Sequence, residues 1–355
     1  MNVGIALSLP IPARRLDMCG KWGTIWAASN LSQKSDPVET NEGIVIRQYL
    51  GHYFVVIDGV AWDCALSSML RKNLEYPEAS AGSRRQRVQR VRKVKTKDPV
   101  VIGDLVRIDT GADYTGMIRE VLPRRNKISR MGAGDSRREQ LLAANIDRVL
   151  PVFAVATPTP DWNILDRMLA IAEWQELPVS ICINKMDLET DPIRDITVIY
   201  EQAGYDIYYT STESDLGKEQ LEELLTTGTT LLMGQSGVGK SSLLNWLQPG
   251  LKLRTGEVSQ AQGDGKHTTT HLELVSLAKG GLVGDIPGVK RFQLWGITPE
   301  DTPLLFREFA PYLGQCQFSD CLHIHEPRCS IKEAVDSGDI SSLRYASYLR
   351  IRKDP

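Results

Sequence analysis

"TTLLMGQSGVGKSSLLNWL", residues 229–247, decides the fold. A short apolar run, a glycine-rich turn and an apolar-periodic segment read as strand, loop and helix. The turn is G-x-x-x-x-G-K-S, the Walker A pattern, running through Gly234, Gln235, Ser236, Gly237, Val238, Gly239, Lys240, Ser241 and Ser242. Its glycines let backbone N–H groups converge on phosphate oxygens at a helix N-terminus. Lys240 is placed to neutralise the β- and γ-phosphates and to serve catalysis, and the Ser241 hydroxyl to ligate Mg²⁺.

About fifty residues upstream, "ICINKMDL" (181–188) runs an apolar strand into Asn184, Lys185, Met186 and Asp187. This N-K-x-D pattern selects guanine. The Asp187 carboxylate can accept from both N1–H and the exocyclic amine, donors that adenine does not offer there. Asn184 would bridge base and phosphate loop, and the Lys185 stem would pack on the purine face. "YTSTES" follows the next strand and offers Ser211 and the Thr212 amide for guanine O6.

Downstream, "GGLVGDIPG" gives Asp285-x-x-Gly288, with Asp285 holding Mg²⁺ through water and the Gly288 amide sensing the γ-phosphate. "GDGKHTTTH" (263–271) lies where a switch loop supplies a threonine to Mg²⁺, either Thr268 or Thr269. All five GTPase elements are present, but in the order guanine, guanine-O6, Walker A, switch I, switch II (G4-G5-G1-G2-G3). Cutting a Ras-like domain in one loop and joining its old ends yields this order, and chain termini near one another at the surface make such a permutation tolerable. Switch II then leads directly into the C-terminal block, which should sense the γ-phosphate.

The surrounding strands and helices fit that core. From about residue 140, "RVLPVFAVA", "PVSICI" and "DIYYTS" alternate with helical patterns such as "WNILDRMLAIAEWQ" and "IRDITVIYEQAG". Near-continuous apolar strands between amphipathic helices indicate a parallel sheet covered on both faces. Ahead of it, residues 42–66 and the segments 100–109 and 114–123 alternate apolar and polar positions, five short strands that suit an OB-type barrel. Between them "SRRQRVQRVRKVKTK" (83–97) carries Arg84, Arg85, Arg87, Arg90, Arg92, Lys93, Lys95 and Lys97 and no acid, a loop suited to RNA phosphates.

Bulk composition sets few further bounds. The chain has 355 residues, 42% of them apolar and 24% charged, with a net charge of −2, so any nucleic-acid contact must rest on local charge. No apolar run reaches the roughly 18 residues of a membrane span, and no membrane partner is expected. The opening "MNVGIALSLP" lacks a basic leader, so a secretory signal is not expected. The expected location is the cytoplasm, or an organelle stroma or matrix if the first ~35 residues are a transit peptide.

Near the C-terminus, Cys316, Cys321 and Cys329 stand with His323, two residues ahead of a rival ligand, His325. Three thiolates and one imidazole make a closed, tetrahedral site of structural Zn²⁺ type. Catalysis has a gap: the residue after the D-x-x-G glycine is Val289, where Ras-like enzymes carry a water-orienting glutamine. Either intrinsic hydrolysis is slow or another group, with His267 of the switch loop as the candidate, positions the water.

The permuted order, the barrel in front and the block behind resemble the RsgA (YjeQ) family of circularly permuted, small-ribosomal-subunit-dependent GTPases. "NKMD", "GQSGVGKSS", "GKHTTTH", "DIPG" and the spacing Cys316-x4-Cys321-x-His323-x5-Cys329 carry that resemblance over about 42–350. It selects His323 as the fourth zinc ligand and is consistent with His267. It implies a late assembly factor that binds the small subunit and its rRNA and hydrolyses GTP to GDP there; a monomer with Mg²⁺ and one structural Zn²⁺ is expected. The alternatives are a permuted GTPase of another process, or an RNA-binding module holding GTP as a structural ligand.

The expected architecture is multi-domain with an α/β core. A tail at 1–41, expected to be disordered, precedes an OB-fold RNA-binding domain at 42–132 with its basic insertion. A circularly permuted Ras-like P-loop GTPase domain occupies 138–298, and a zinc-binding helical domain 299–355.

Overall fold

The computed structural model describes residues 40–75, 100–131, 139–189, 193–251, 272–286 and 296–353. The expected tail and the basic insertion at 83–97 lie outside the described residues, apart from the tail's last two positions.

Strands β1 (Thr40–Tyr49), β2 (His52–Ile57), β3 (Val60–Leu66), β4 (Leu105–Thr110) and β5 (Thr115–Val121) close into a barrel ordered β1-β2-β3-β5-β4. Helix α1 (Ser68–Glu75) fills the connection after β3. The β2–β3 hairpin turns on Asp58 and Gly59, both left-handed at φ 48° and 79°. A two-residue Asp-Gly loop of that kind matches the twist of the flanking strands. Strand β3 runs parallel to β5, and β4 returns antiparallel to β1 to close the ring. Alternate residues point inward, so Val45, Tyr53, Val55, Cys64, Val106, Ile108 and Ile118 form the barrel core. The sequence places a strand over 100–109, yet it begins only at Leu105. The Asp104 carboxylate accepts from Val101 N at 2.8 Å and holds the preceding residues in a turn.

A hairpin that periodicity did not announce follows: β6 (Lys127–Met131) and β7 (Glu139–Ala144). It is clasped to the next helix by a reciprocal pair, Gln175 Oε1 accepting from Ser129 N and Gln175 Nε2 donating to Ser129 O.

The α/β unit comprises β8 (Arg148–Ala154), α2 (Trp162–Trp174), β9 (Ser180–Asn184), α3 (Ile193–Gln202), β10 (Asp206–Tyr209), α4 (Lys218–Leu225), β11 (Thr229–Met233), α5 (Lys240–Leu247), β12 (Leu274–Ser276) and β13 (Leu282–Ile286). Its six strands lie in the order β10-β9-β8-β11-β13-β12, and β12 alone is antiparallel to its neighbour. Every residue of β9 and β11 is buried, as helices on both faces require. Strand β11 leads into the Walker loop and β9 into Asn184, with only β8 between them. Segments distant in the chain are thus two strands apart. Just ahead of β12, Glu273 makes an isolated antiparallel bridge to Arg47 of the barrel, and their side chains form an ion pair at 3.9 Å.

The C-terminal block contains α6 (Ser330–Ser337) and α7 (Ser342–Lys353). Its Phe306, Phe309, Ile331, Tyr348 and Ile351 share one core with Leu165, Met168 and Leu169 of α2. Arg344 of α7 pairs with both Asp166 of α2 and Glu308, and Arg307 pairs with Glu173. The block is therefore packed on the helix that follows β8.

Candidate nucleotide site and metal centre

The guanine-type motif and the phosphate loop meet through Asn184, which is 2% exposed. Its Nδ2 donates to Val238 O of the Walker loop at 2.9 Å, and its Oδ1 accepts from Thr210 Oγ1 at 3.0 Å. Thr210 Oγ1 in turn lies 3.3 Å from the Cys182 thiol, whose pKa burial pushes up to about 12. This chain of bonds settles which way the Asn184 amide faces. Contact with the loop is close enough to require glycine: at Gly239, with φ 99°, an added Cβ would lie 2.4 Å from Asn184 Nδ2.

Lys185 is left-handed at φ 62°. Its Nζ donates to Gly237 O at 2.7 Å and to Thr157 O at 2.5 Å, so the aliphatic stem is stretched over the site. Met186 is buried, whereas Asp187 is exposed. Ser211 Oγ donates to Asp187 Oδ1 at 2.5 Å and accepts from Glu213 N and Ser214 N at 3.2 Å each. Ser211 is thereby committed to orienting Asp187. Thr210 and Thr157 were not legible as site residues. Thr210 stands in "YTSTES" but acts only through Asn184, and Thr157 contributes a carbonyl that any residue would supply.

In the Walker loop, Lys240 Nζ donates to Gly234 O at 2.8 Å and Gln235 O at 3.2 Å. Gly234, Gln235 and Val238 are buried, Ser236 and Gly237 are exposed, and Ser241 and Ser242 lie partly buried in the first turn of α5. Burial lowers the Lys240 pKa and raises that of Asp285, and each charge opposes the shift of the other. They stand 3.6 Å apart, close enough for ion pairing but too far for a good hydrogen bond. Among the described residues the buried Asp285 Oδ1 has no hydrogen-bond partner, only this loose ion pair. A carboxylate oxygen so placed beside the phosphate loop fits a cation such as Mg²⁺. Gly288, Val289, His267, Thr268, Thr269 and the basic residues from Arg84 to Lys97 lie outside the described residues.

The second cluster is in the C-terminal block. One ligand atom from each of Cys316, Cys321, His323 and Cys329 lies within 4.8 Å of the others. Cys316 Sγ is 3.9 Å from Cys329 Sγ and 3.4 Å from His323 Nδ1, and His323 Nδ1 is 3.3 Å from Cys329 Sγ. Tetrahedral sulfur ligation with bonds of about 2.3 Å has edges of about 3.8 Å, and the nitrogen edges are somewhat shorter. The four side chains therefore fit one tetrahedral metal ion, and His325 is exposed outside the cluster. Tyr345 and Tyr348 of α7 hold the turn by donating to His323 O and Leu322 O at 2.7 and 2.6 Å. Glu326 accepts from the N–H groups of Leu322, Ile324 and His325 at 2.8–3.0 Å. Burial alone would raise its pKa, but these backbone donors outweigh that and hold it at about 2.

A doubly wound sheet, a Walker loop at its centre and a guanine-type motif that precedes the loop in sequence define a circularly permuted P-loop GTPase. Comparison with known proteins agrees. The family model described as RsgA GTPase matches residues 121–295. The "Small ribosomal subunit biogenesis GTPase RsgA" of Gemmatimonas aurantiaca is 42% identical over 259 residues, covering 72% of this chain and 84% of that one. Its counterpart from Alkaliphilus metalliredigens is 35% identical over 314 residues, covering 88% and 96%. Among solved structures, YjeQ from Thermotoga maritima superposes with a TM-score of 0.67 at 32% identity, covering 89% of this chain and 98% of that one. YloQ, a circularly permuted GTPase, gives 0.65 at 26% identity, covering 91% and 97%. The chain belongs to the RsgA GTPase family.

Proposed function

We propose that the protein is a late assembly factor of the small ribosomal subunit that hydrolyses GTP to GDP and phosphate while docked on that particle. The observation that carries the GTP reading is the bond from Asn184 to Val238 O, which joins the base motif to the phosphate loop. Asp187 would accept the two guanine donors, the Lys185 stem would cover the purine face, and the Thr212 amide would meet O6. Backbone N–H groups from Gly234 to Ser242 would cradle the phosphates. Lys240 would leave its carbonyl partners for the β- and γ-phosphates.

Ser241 and Asp285, with Thr268 or Thr269, would hold Mg²⁺, which when bound neutralises phosphate charge. Gly288 would report the γ-phosphate, and His267 would orient the attacking water in place of Val289. The Cys316, Cys321, His323 and Cys329 set would hold one Zn²⁺ whose role is structural, since four protein ligands leave no open position. The basic residues between Arg84 and Lys97 would contact rRNA phosphates, and the working form would be a monomer. Among the described residues no helix is long and apolar enough to cross a membrane, and the proposed place of action is the cytoplasm.

Multiple-turnover phosphate release, measured with and without isolated small subunits, tests this reading. Strong stimulation by subunits is expected. Subunit-independent turnover would indicate a GTPase of another process, and no turnover would reduce GTP to a structural ligand.

A further inference from the structure

The loop that carries Thr212 is held on its Ser211 side by the contacts already described and closed at its base by Ser211 N donating to Leu216 O at 3.1 Å. Asp215 is exposed and left-handed at φ 53°. There it meets a side chain from a different part of the fold: Trp246 Nε1 donates to Asp215 Oδ1 at 2.7 Å. Trp246 lies on α5, six residues beyond Lys240, or about 9 Å along the helix. Lys218, the first residue of α4, covers the indole at 5.1 Å from the ring centroid and stands 4.0 Å from Asp215 Oδ1. The helix that begins at the phosphate loop thus reaches the base-recognition loop.

We propose that Asp215 and Trp246 form a clamp that positions the Thr212 backbone amide against guanine O6, and so help set base specificity. This rests on the guanine reading above. The clamp acts through the loop and not by a contact of its own with the base. Their effect passes through the backbone between Ser211 and Asp215, because a loop tethered at both ends has less freedom to lose when the base binds. A backbone donor discriminates only when it is held within hydrogen-bond reach of one acceptor, here O6. The clamp also ties base recognition to phosphate recognition, since α5 carries both Lys240 and Trp246.

The test compares GDP with 2-aminopurine riboside 5′-diphosphate, which keeps the exocyclic amine but lacks O6 and, with it, the N1–H. The N1–H contact to Asp187 is common to every variant, so only the change in preference between variants reads the O6 contact. Binding is measured calorimetrically on the full chain. The wild type should prefer GDP. Trp246→Phe keeps the ring but removes the N–H, and Asp215→Gly removes the acceptor without straining a left-handed backbone. Each should narrow the preference about fivefold, the scale of one hydrogen bond, by weakening GDP alone. Asp215→Asn retains a carbonyl acceptor and should keep the wild-type preference. An unchanged preference in both disruptive variants, or equal weakening of both nucleotides, would overturn the clamp and leave the guanine reading standing. A wild type that does not prefer GDP would overturn both.

Discussion

Arg344 and Asp166, 178 positions apart, form an ion pair whose side chains are 2% and 3% exposed. A second carboxylate, Glu308, meets the same guanidinium, whose face lies 4.7 Å from the Phe306 ring centroid. Removing one member of such a buried set leaves uncompensated charge, which costs about 3–5 kcal/mol. Arg344→Ala should therefore lower the urea midpoint sharply. Arg344→Met combined with Asp166→Asn should recover part of the loss, because fewer buried charges remain unpaired. Equal midpoints for Arg344→Ala and wild type would show that α7 docks by apolar packing alone.

Asp187→Asn should shift base preference from guanine to xanthine. The asparagine carbonyl can still accept from Ser211, but the amide nitrogen would face the guanine amine and suits the xanthine O2 instead. Affinity for GDP should fall by about 10²-fold or more, the scale of an unpaired group in a site built for hydrogen bonding. Titration with GDP and XDP reads the change directly, and a retained guanine preference would detach Asp187 from the base.

Lys240→Ala should lower kcat for GTP by about 10²–10³-fold, the usual loss when one preorganised electrostatic group is removed. It should also release the Asp285 carboxylate from its only described ion pair, so burial would raise the Asp285 pKa without opposition. The folded-state pKa, already above the unfolded one in the wild type, would then rise further. The variant's stability relative to wild type should improve as pH falls toward the carboxylate range and worsen above it. Turnover assays and denaturation at two pH values check the two halves.

Metal analysis should find about one Zn²⁺ per chain. Cys316→Ser should lose the metal together with the local fold, since apparent zinc binding energies of roughly 10–16 kcal/mol are folding energy in closed sites. His325→Ala should keep both. A metal-free wild type with an ordered C-terminal block would refute the assignment.

His267→Ala should cut subunit-stimulated turnover by about 10²-fold, the scale of one positioned acid–base group, while changing basal turnover little. Parallel assays with and without subunits separate the two rates. Equal losses in both would argue against positioning by the subunit.

Local motifs were legible from residues alone. The Walker loop and Asn-Lys-Met-Asp carry their chemistry within eight or nine consecutive positions, and glycine at 239 and asparagine at 184 are read without knowing that they touch. The barrel and the parallel sheet followed from periods of two and from fully apolar strands. What escaped was pairwise and distant. Nothing near Trp246 announces a bond to Asp215, and Arg344 looks like any surface arginine of a basic helix until Asp166 is placed beside it. The β6–β7 hairpin escaped for another reason: one of its contacts, Ser129 with Gln175, lies with a distant partner that its own alternation does not encode.

The bridge between Arg47 and Glu273 joins the barrel to the edge of the nucleotide sheet. Linkage then constrains the molecule in both directions. Whatever factor an occupied barrel applies to the affinity for one nucleotide over another, that nucleotide applies to the barrel's grip on its ligand. A particle that tightens the hold on GTP relative to GDP is held more tightly by the GTP form than by the GDP form, and by the same free energy. Release after hydrolysis would then need no separate signal.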